Sequence, residues 1–252
     1  MLPLIDMWAT SPEVGNVQRF LNSTIYRDWS GKPLVVDENF GQRSVYVLRQ
    51  WQTANMLNPS GVFDELARSR AKSQGFVPFV QAKNFTQVYP RVRKIDLLIV
   101  HTMEASEKPG TADAVAAWFA GPSAPKASAH YCIDPASIVQ CVRDMDVAWQ
   151  APGANNNGIG IEHGGFAKQT PAEWSDDASR RILQRSAKLC AQLCALYQIP
   201  LLRPTAEGLR QGQRGIVGHH DVSTAFGGTH WDPGPGFDFA GFFDLIRPML
   251  PA

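Results

Sequence analysis

The chain has 252 residues, 44% of them hydrophobic and 19% charged, with a formal net charge of +1. That balance suits a folded chain with room for one large domain or for two unequal ones. It excludes nucleic-acid or anionic-membrane binding driven by bulk charge, and no apolar run approaches the ~18–20 residues that a membrane-spanning helix needs. Met1 through Asp6 has no basic residue and carries an acid in its only apolar run, so no signal peptide is expected. Cys132, Cys141, Cys190 and Cys194 form no C-x-x-C pair, and buried free thiols are expected, with Cys132 and Cys141 placed to face each other across a hairpin.

The N-terminal part reads as helical. Val14, Val17, Phe20 and Leu21 keep helical spacing after the start signal Ser11-Pro12-Glu13. A second amphipathic helix begins near Gln42 and carries Val45, Leu48 and Trp51. A third runs from about Asp64 to Gln74 and stops at Gly75. Between the first two, Leu34 through Gly41 is a tight loop with apolar anchors. Residues 77–92 contain Pro78 and Pro90 without a clear period and read as a loosely packed linker.

The remainder mixes strands and helices. Ile95 through Val100 is the near-continuous apolar run of a strand buried on both faces, ended by His101. Thr111 through Phe119 is a helix with Thr111 as N-cap. Ala127 through Ile133 and Ser137 through Val142 are two strands joined by Asp134-Pro135-Ala136. Gly158 through Glu162 is a short central strand, Ala178 through Tyr197 a long amphipathic helix, Gly215 through Gly218 another strand, and Phe237 through Leu250 a closing helix. The expected fold is α/β, a mixed central β-sheet flanked by helices, plus a small N-terminal three-helix domain. The expected domains are 1–76, the linker 77–92, and 93–252.

All six histidines fall between His101 and His230. His101 ends a buried strand. His219 follows Gly218 at another strand end and stands thirteen residues before Asp232, across a Gly-rich stretch. Two imidazoles and one carboxylate are the ligand set of a catalytic zinc with one open position. Zinc lowers the pKa of bound water towards ~7. His219 is preferred to His220, which alternation would turn to the opposite face if the strand continued. Asp221 is either a structural cap or a partner that fixes an imidazole tautomer. Glu162, at a strand end among apolar neighbours, is the candidate general base and acid. His230, two residues before Asp232, is the candidate oxyanion stabiliser. His130 and His163 are weaker candidates for substrate or second-layer contact.

In these residues the chain resembles the zinc-dependent N-acetylmuramoyl-L-alanine amidases and peptidoglycan recognition proteins, over about residues 93–248. The matching motifs, in order, are Leu98-Ile99-Val100-His101-Thr102, Ser128-Ala129-His130-Tyr131, Ala148-Trp149, Asn155 through Glu162, Gly218-His219-His220-Asp221-Val222, and Asp232-Pro233-Gly234-Pro235 with Phe237-Asp238-Phe239. The resemblance implies zinc at His101, His219 and Asp232, Glu162 as base and acid, and substrate contacts at His130, Trp149 and Asn155. It implies cleavage of the amide between the lactyl group of N-acetylmuramic acid and L-alanine of the stem peptide. Two positions depart from the family: His230 stands where many members have lysine, and Gln150 where histidine often follows Ala-Trp.

Residues 12–76 resemble a three-helix peptidoglycan-binding domain, through Val17-Gln18-Arg19-Phe20-Leu21-Asn22, Leu34 through Asp37, Phe40-Gly41, Val47-Leu48, Trp51-Gln52 and Gly61-Val62-Phe63. Glu38 stands where members usually have glycine. Together the two resemblances imply a monomeric endolysin of phage type, made in the cytoplasm, released by a holin and acting on the cell wall. The other readings are a bacterial autolysin or muropeptide-recycling amidase, and a peptidoglycan-binding recognition protein without activity. The partner in each case is peptidoglycan, not nucleic acid or membrane.

Overall fold

The structure, a computed structural model, describes residues 3–250. Met1 and Leu2 of the N-terminal apolar run, and Pro251 and Ala252 at the end of the expected second domain, lie outside the described residues. The chain divides into two compact units, Met1–Phe79 and Val80–Ala252.

The first unit contains three helices, α1 (Pro12–Asn22), α2 (Gln42–Ala54) and α3 (Glu65–Lys72). Ser11 caps α1 and Asp64 caps α3, each accepting a backbone N–H of the first turn. Gly75, at φ 94, follows α3 where the chain turns away. The core is aromatic: Phe20 meets Trp51 edge-on at 5.5 Å, and Phe76 meets Phe20 and Phe63 at 5.9 and 5.1 Å. Two buried glutamines close the loops. Gln18 Nε2 donates to Asp37 Oδ1 and the Asn39 carbonyl, while its Oε1 accepts from the N–H groups of Asp37 and Glu38. Gln52 binds Gly61 and Val62 in the same way. These side chains satisfy loop backbone that would otherwise be buried without partners.

The second unit comprises β1 (Phe85–Thr86), β2 (Leu97–Thr102), α4 (Thr111–Ala120), β3 (Tyr131–Ile133), β4 (Ile138–Gln140), β5 (Val147–Ala148), β6 (Gly158–His163), α5 (Asp177–Tyr197), α6 (Ala206–Arg210), β7 (Gly215–Gly218), α7 (His219–Phe226) and α8 (Phe239–Ile246). The main sheet has the order β4-β3-β6-β2-β7. Only the β3–β4 hairpin is antiparallel; β3–β6, β6–β2 and β2–β7 are parallel. This is the expected mixed sheet with covering helices.

Alternation on the central strands sorts the side chains. Leu97, Ile99 and Val217 join Leu209 of α6 and Val222 and Ala225 of α7 in one apolar cluster. His101 shares the parity of Leu97 and Ile99 and so emerges on that face. Thr102 and its partner His163 lie on the other, where His163 meets Ser186 of α5 and Phe242 of α8. β6 reads Gly158-Ile159-Gly160-Ile161-Glu162, so the site-facing row is glycine, glycine, glutamate. Ile159 and Ile161 are buried behind it, each stabilising the fold by roughly 1.5–3 kcal/mol.

Several local expectations are corrected. The 77–92 stretch is not loosely packed throughout. From Val80 it is bonded into the second unit: Val80 and Ala82 donate to the carbonyls of Gln140 and Cys141, Phe85–Thr86 pairs with β5, and Val88 and Tyr89 donate to Asp146 Oδ1. Gly110, at φ 91, caps α4, and Thr111 is the first helical residue, its hydroxyl donating to the Ser106 carbonyl. The hairpin strands are shorter than expected. The closing helix ends at Ile246 and tightens into a 3₁₀ turn, Arg247–Met249, where Pro248 has no N–H to continue the helix. His219 and His220 do not extend β7; they open α7. All four cysteines are buried and free, with Cys132 and Cys141 Sγ atoms 3.8 Å apart. No helix among the described residues is long and apolar enough to cross a membrane.

Candidate active site

Parallel pairing sets His101 directly beside Glu162, the two being Cα partners across β2 and β6. Gly218, paired with Val100 one step earlier, delivers His219 to the same edge of the sheet. There the chain turns into α7. Asp221 Oδ2 accepts the Gly218 N–H at 2.9 Å, and Arg203 grips the same carboxylate through two nitrogens at 3.1 and 3.0 Å. Asp221 is therefore the cap that holds the His219 turn, and not a partner of an imidazole. His219 is buried whereas His220, one residue on around the helix, is exposed.

The Asp232 loop is fixed against that turn. The His220 N–H donates to the Asp232 carbonyl at 2.9 Å. Gly234 has φ +84, and a Cβ there would stand 1.7 Å from the Ala167 carbonyl oxygen, so only glycine lets this loop approach. Asp232 Oδ2 lies 3.1 Å from His101 Nδ1 and Oδ1 lies 3.3 Å from His219 Nδ1.

These distances meet a metal's requirements. One ligand atom from each of His101, His219 and Asp232 lies within 4.8 Å of the others. Ligands ~2.0–2.2 Å from a tetrahedral zinc stand about 3.3–3.6 Å apart. His101 Nε2 is taken by Gln150 Oε1 at 2.8 Å. Because that oxygen only accepts, Nε2 carries the proton and the neutral ring turns the Nδ1 lone pair towards the carboxylate. A lone pair facing a carboxylate calls for a cation between them, and two imidazoles with one carboxylate suit zinc.

Glu162 is the other reactive group. Its Oε2 is buried and has no hydrogen-bond partner. Burial pushes the carboxyl up to about 7, against the pull of His101 and with help from Asp232 and Glu104. A carboxyl poised near neutrality suits proton transfer in both directions. His230 stacks on His219 at 4.0 Å and 14°, with Nδ1 3.7 Å from Asp232 Oδ1. Its side chain is 62% exposed, so it stands at the mouth of the site.

All five residues line one cleft of about 350 Å³. Its rim includes Trp118, Trp149 and Trp231, with Glu104 and Ser128 between apolar stretches. Trp149, expected as a substrate contact, lines this cleft, its Nε1 donating to Thr86 Oγ1 at 2.9 Å.

His130 and Asn155, also expected as substrate contacts, do not line the cleft. His130 is fully buried: Nδ1 accepts the Gly160 N–H at 3.0 Å, and Nε2 lies against Arg93 and the Asp146 carbonyl. It anchors β6 and has no nitrogen left for substrate. Asn155 Oδ1 accepts the N–H groups of Gln150 and Ala151 at 2.9 and 2.7 Å, which shapes the loop that carries Gln150. His163 bonds the His101 carbonyl and Ser186 Oγ beneath the sheet.

Sequence reasoning missed two features. Gln150 was noted only as standing where histidine often follows Ala-Trp; it orients His101, lying in the trough left by Gly158 and Gly160. The Gly-x-Gly-x-Glu alternation on one strand was the available signal. Trp118 and Trp231 were not singled out, although Trp118 lies on the exposed side of an otherwise half-buried helix.

A mixed sheet carrying a histidine–histidine–aspartate cluster and a protonatable glutamate in one cleft defines a metal-dependent hydrolase. Residues 91–235 match the N-acetylmuramoyl-L-alanine amidase family model, and the chain belongs to that family; it is a zinc-dependent amidase. It is 28% identical over 163 residues to N-acetylmuramoyl-L-alanine amidase A of Achromobacter lyticus, which covers 60% of this chain and 82% of that protein. Solved structures similar to it include the Staphylococcus aureus hydrolase AmiA in complex with its ligand, at 18% identity and TM-score 0.49, covering 74% of this chain and 90% of that one. A mutant endolysin from Bacillus subtilis gives 21% identity and TM-score 0.45, covering 68% and 99%.

Proposed function

We propose that the protein hydrolyses the amide joining N-acetylmuramic acid to L-alanine of the peptidoglycan stem, and that it does so as a lytic enzyme of endolysin type. The observation that carries the chemistry is the partnerless Glu162 carboxyl beside the His101, His219 and Asp232 cluster, inside a cleft rimmed by indoles. His101, His219 and Asp232 would hold zinc, which when bound would supply a Lewis acid for the scissile carbonyl and lower the pKa of a water.

The chain's own groups supply the rest. Glu162 takes the proton of the attacking water and returns it to the leaving nitrogen of L-alanine. Gln150 keeps His101 in the tautomer whose Nδ1 faces the ligand cluster. His230, at the mouth, presents an N–H towards the developing oxyanion. The first unit serves as a wall-binding module, which raises the local concentration of the catalytic unit on an insoluble polymer. That pairing of tether and amidase supports action on the assembled wall after synthesis inside the cell.

Mass spectrometry of sacculi digested with the purified protein tests the bond. The expected products are free stem peptides beginning in L-alanine and glycan strands of unchanged length. Shortened glycans, or no released peptide from a zinc-loaded protein, would refute the assignment; zinc loading without turnover would favour a recognition protein.

A further inference from the structure

The first unit carries a groove of about 310 Å³ whose lining includes Trp8, Trp29, Leu34, Asp37 and Arg43. The fold holds both indoles out in water. Trp8 is 61% exposed and sits at φ 77, a backbone region that costs a bulky residue roughly 1–3 kcal/mol. It is pinned there. The Trp8 N–H donates to the Phe40 carbonyl and the Phe40 N–H to the Ala9 carbonyl, both at 2.9 Å, and a Cβ on Gly41 would stand 3.9 Å from the Trp8 ring.

Trp29 is 53% exposed and braced from two sides. Tyr46 meets it edge-on at 5.7 Å, and the Arg43 guanidinium lies 5.0 Å from its ring. Arg43 is itself paired with Asp28, whose Oδ1 accepts the Ser30 hydroxyl and the N–H groups of Ser30 and Lys32. Neither indole serves the core, and exposing large apolar side chains forfeits on the order of 2 kcal/mol each.

The polar groups of the groove are also fixed or free to bind. Asp37 Oδ1 is held by Gln18 Nε2 at 2.8 Å and by the Asn39 N–H at 3.0 Å. The side-chain amides of Asn39 and Gln42 have no hydrogen-bond partner among the described residues. The one cation is already paired, so the lining holds no excess positive charge for an anionic ligand. Rigid aromatic faces beside amide and carboxylate groups match a ring with an apolar C–H face and hydroxyls at its edge, which describes a pyranose. The volume falls at the lower end of small-ligand sites, ~300–1,000 Å³.

We propose that this groove is a saccharide site that takes a short stretch of the glycan strand, stacked on Trp8 and Trp29 and hydrogen-bonded by Asp37, Asn39 and Gln42. The proposal rests on the peptidoglycan reading above, which supplies the polymer, and it names the glycan rather than the stem peptide as the part held.

The test uses the full chain, titrated by tryptophan fluorescence with the β-1,4-linked N-acetylglucosamine tetramer and with immobilised glycan strands stripped of stem peptide. Turnover of a soluble muramyl peptide is measured in parallel. Expected are binding to both probes and a loss of roughly tenfold or more in Trp8→Ala and in Trp29→Ala, with soluble turnover and thermal melting unchanged. Asp37→Asn, which leaves both indoles in place, is expected to weaken binding as well, and reads the site independently should Trp8→Ala unfold. Equal binding by wild type and the Trp8→Ala/Trp29→Ala double variant overturns the proposal, as does retention only on peptide-bearing sacculi. Failure of wild-type soluble turnover strikes instead at the amidase reading and leaves the glycan titration interpretable.

Discussion

Replacing Gly160 by alanine would place a Cβ 1.8 Å from Gln150 Oε1 and 2.5 Å from Gln150 Cδ. The backbone there is ordinary, and the obstructing atoms are the far end of a flexible side chain. The cheapest relief is therefore to swing Gln150 out of its trough, which breaks the 2.8 Å bond to His101 Nε2. Losing one buried hydrogen bond costs about 1 kcal/mol of fold stability. The larger effect falls on the metal. An imidazole released from its orienting partner typically loses 10–100-fold in metal affinity, about 1.4–2.7 kcal/mol. Zinc affinity measured by chelator competition should fall by that amount in Gly160→Ala and in Gln150→Ala. In the double variant the Gly160 change should add almost nothing, because the side chain it displaces is gone. Unchanged zinc affinity in a folded Gly160→Ala protein, or additive losses in the double variant, would refute the view that the glycines of β6 exist to seat Gln150.

Glu162→Gln should retain zinc and lose turnover by about 10²–10⁴-fold; a fully active, zinc-loaded variant removes Glu162 from the chemistry. Burial, assisted by Arg93, lowers the His130 pKa from 6.5 to about 3. Below pH 6.5 the unfolded chain therefore binds a proton that the folded chain refuses, and stability falls with pH. At pH 5 the loss through this group is about 2 kcal/mol, visible as a lower denaturant midpoint, and a flat profile between pH 7 and 5 would contradict it. Asp221→Ala should cost ~1–2 kcal/mol of stability by uncapping α7 and also weaken zinc binding, since His219 is the first residue of that helix; intact zinc affinity would show that the turn is held by other contacts. His230→Ala should keep zinc and lower kcat more than it raises KM, whereas an unchanged kcat would make this residue a bystander.

What could be read from the sequence followed from how narrowly each signal constrains geometry. The three proposed ligands and Glu162 were legible because buried strand ends and an Asp-Pro-Gly turn leave few places for those side chains to go. Strand alternation also separated His219 from His220 correctly, though for the wrong reason. The Gly218 backbone does not continue as strand; it enters a helix, whose signal was an acid three residues after the cap position, Asp221. The contact between Gln150 and His101 was not legible. It spans 49 residues and depends on strand register. His130 was misplaced for a related reason: a histidine in a half-read strand has two faces available, and only the pairing of His130 Nδ1 with Gly160 decides between them. β1 and β5 are two residues each, too short for any period to appear.

Register on β6 carries more of the chemistry than any single loop. Glu162 and His163 are neighbours on opposite faces, so a slip of one residue would exchange them. The carboxyl would then be driven among Phe237 and Phe242, where His163 now sits, and an imidazole would enter the cleft in its place. Both faces resist that slip. Behind the sheet, His163 is tied to the His101 carbonyl and to Ser186 Oγ. Within the plane of the sheet, the Gly160 N–H is tied to His130 Nδ1. On the site face, the two glycines leave room for Gln150 only in the present register, since a slip would set Ile159 or Ile161 in its trough. His130 and His163, two buried histidines outside the ligand cluster, thus help to keep Glu162 beside His101.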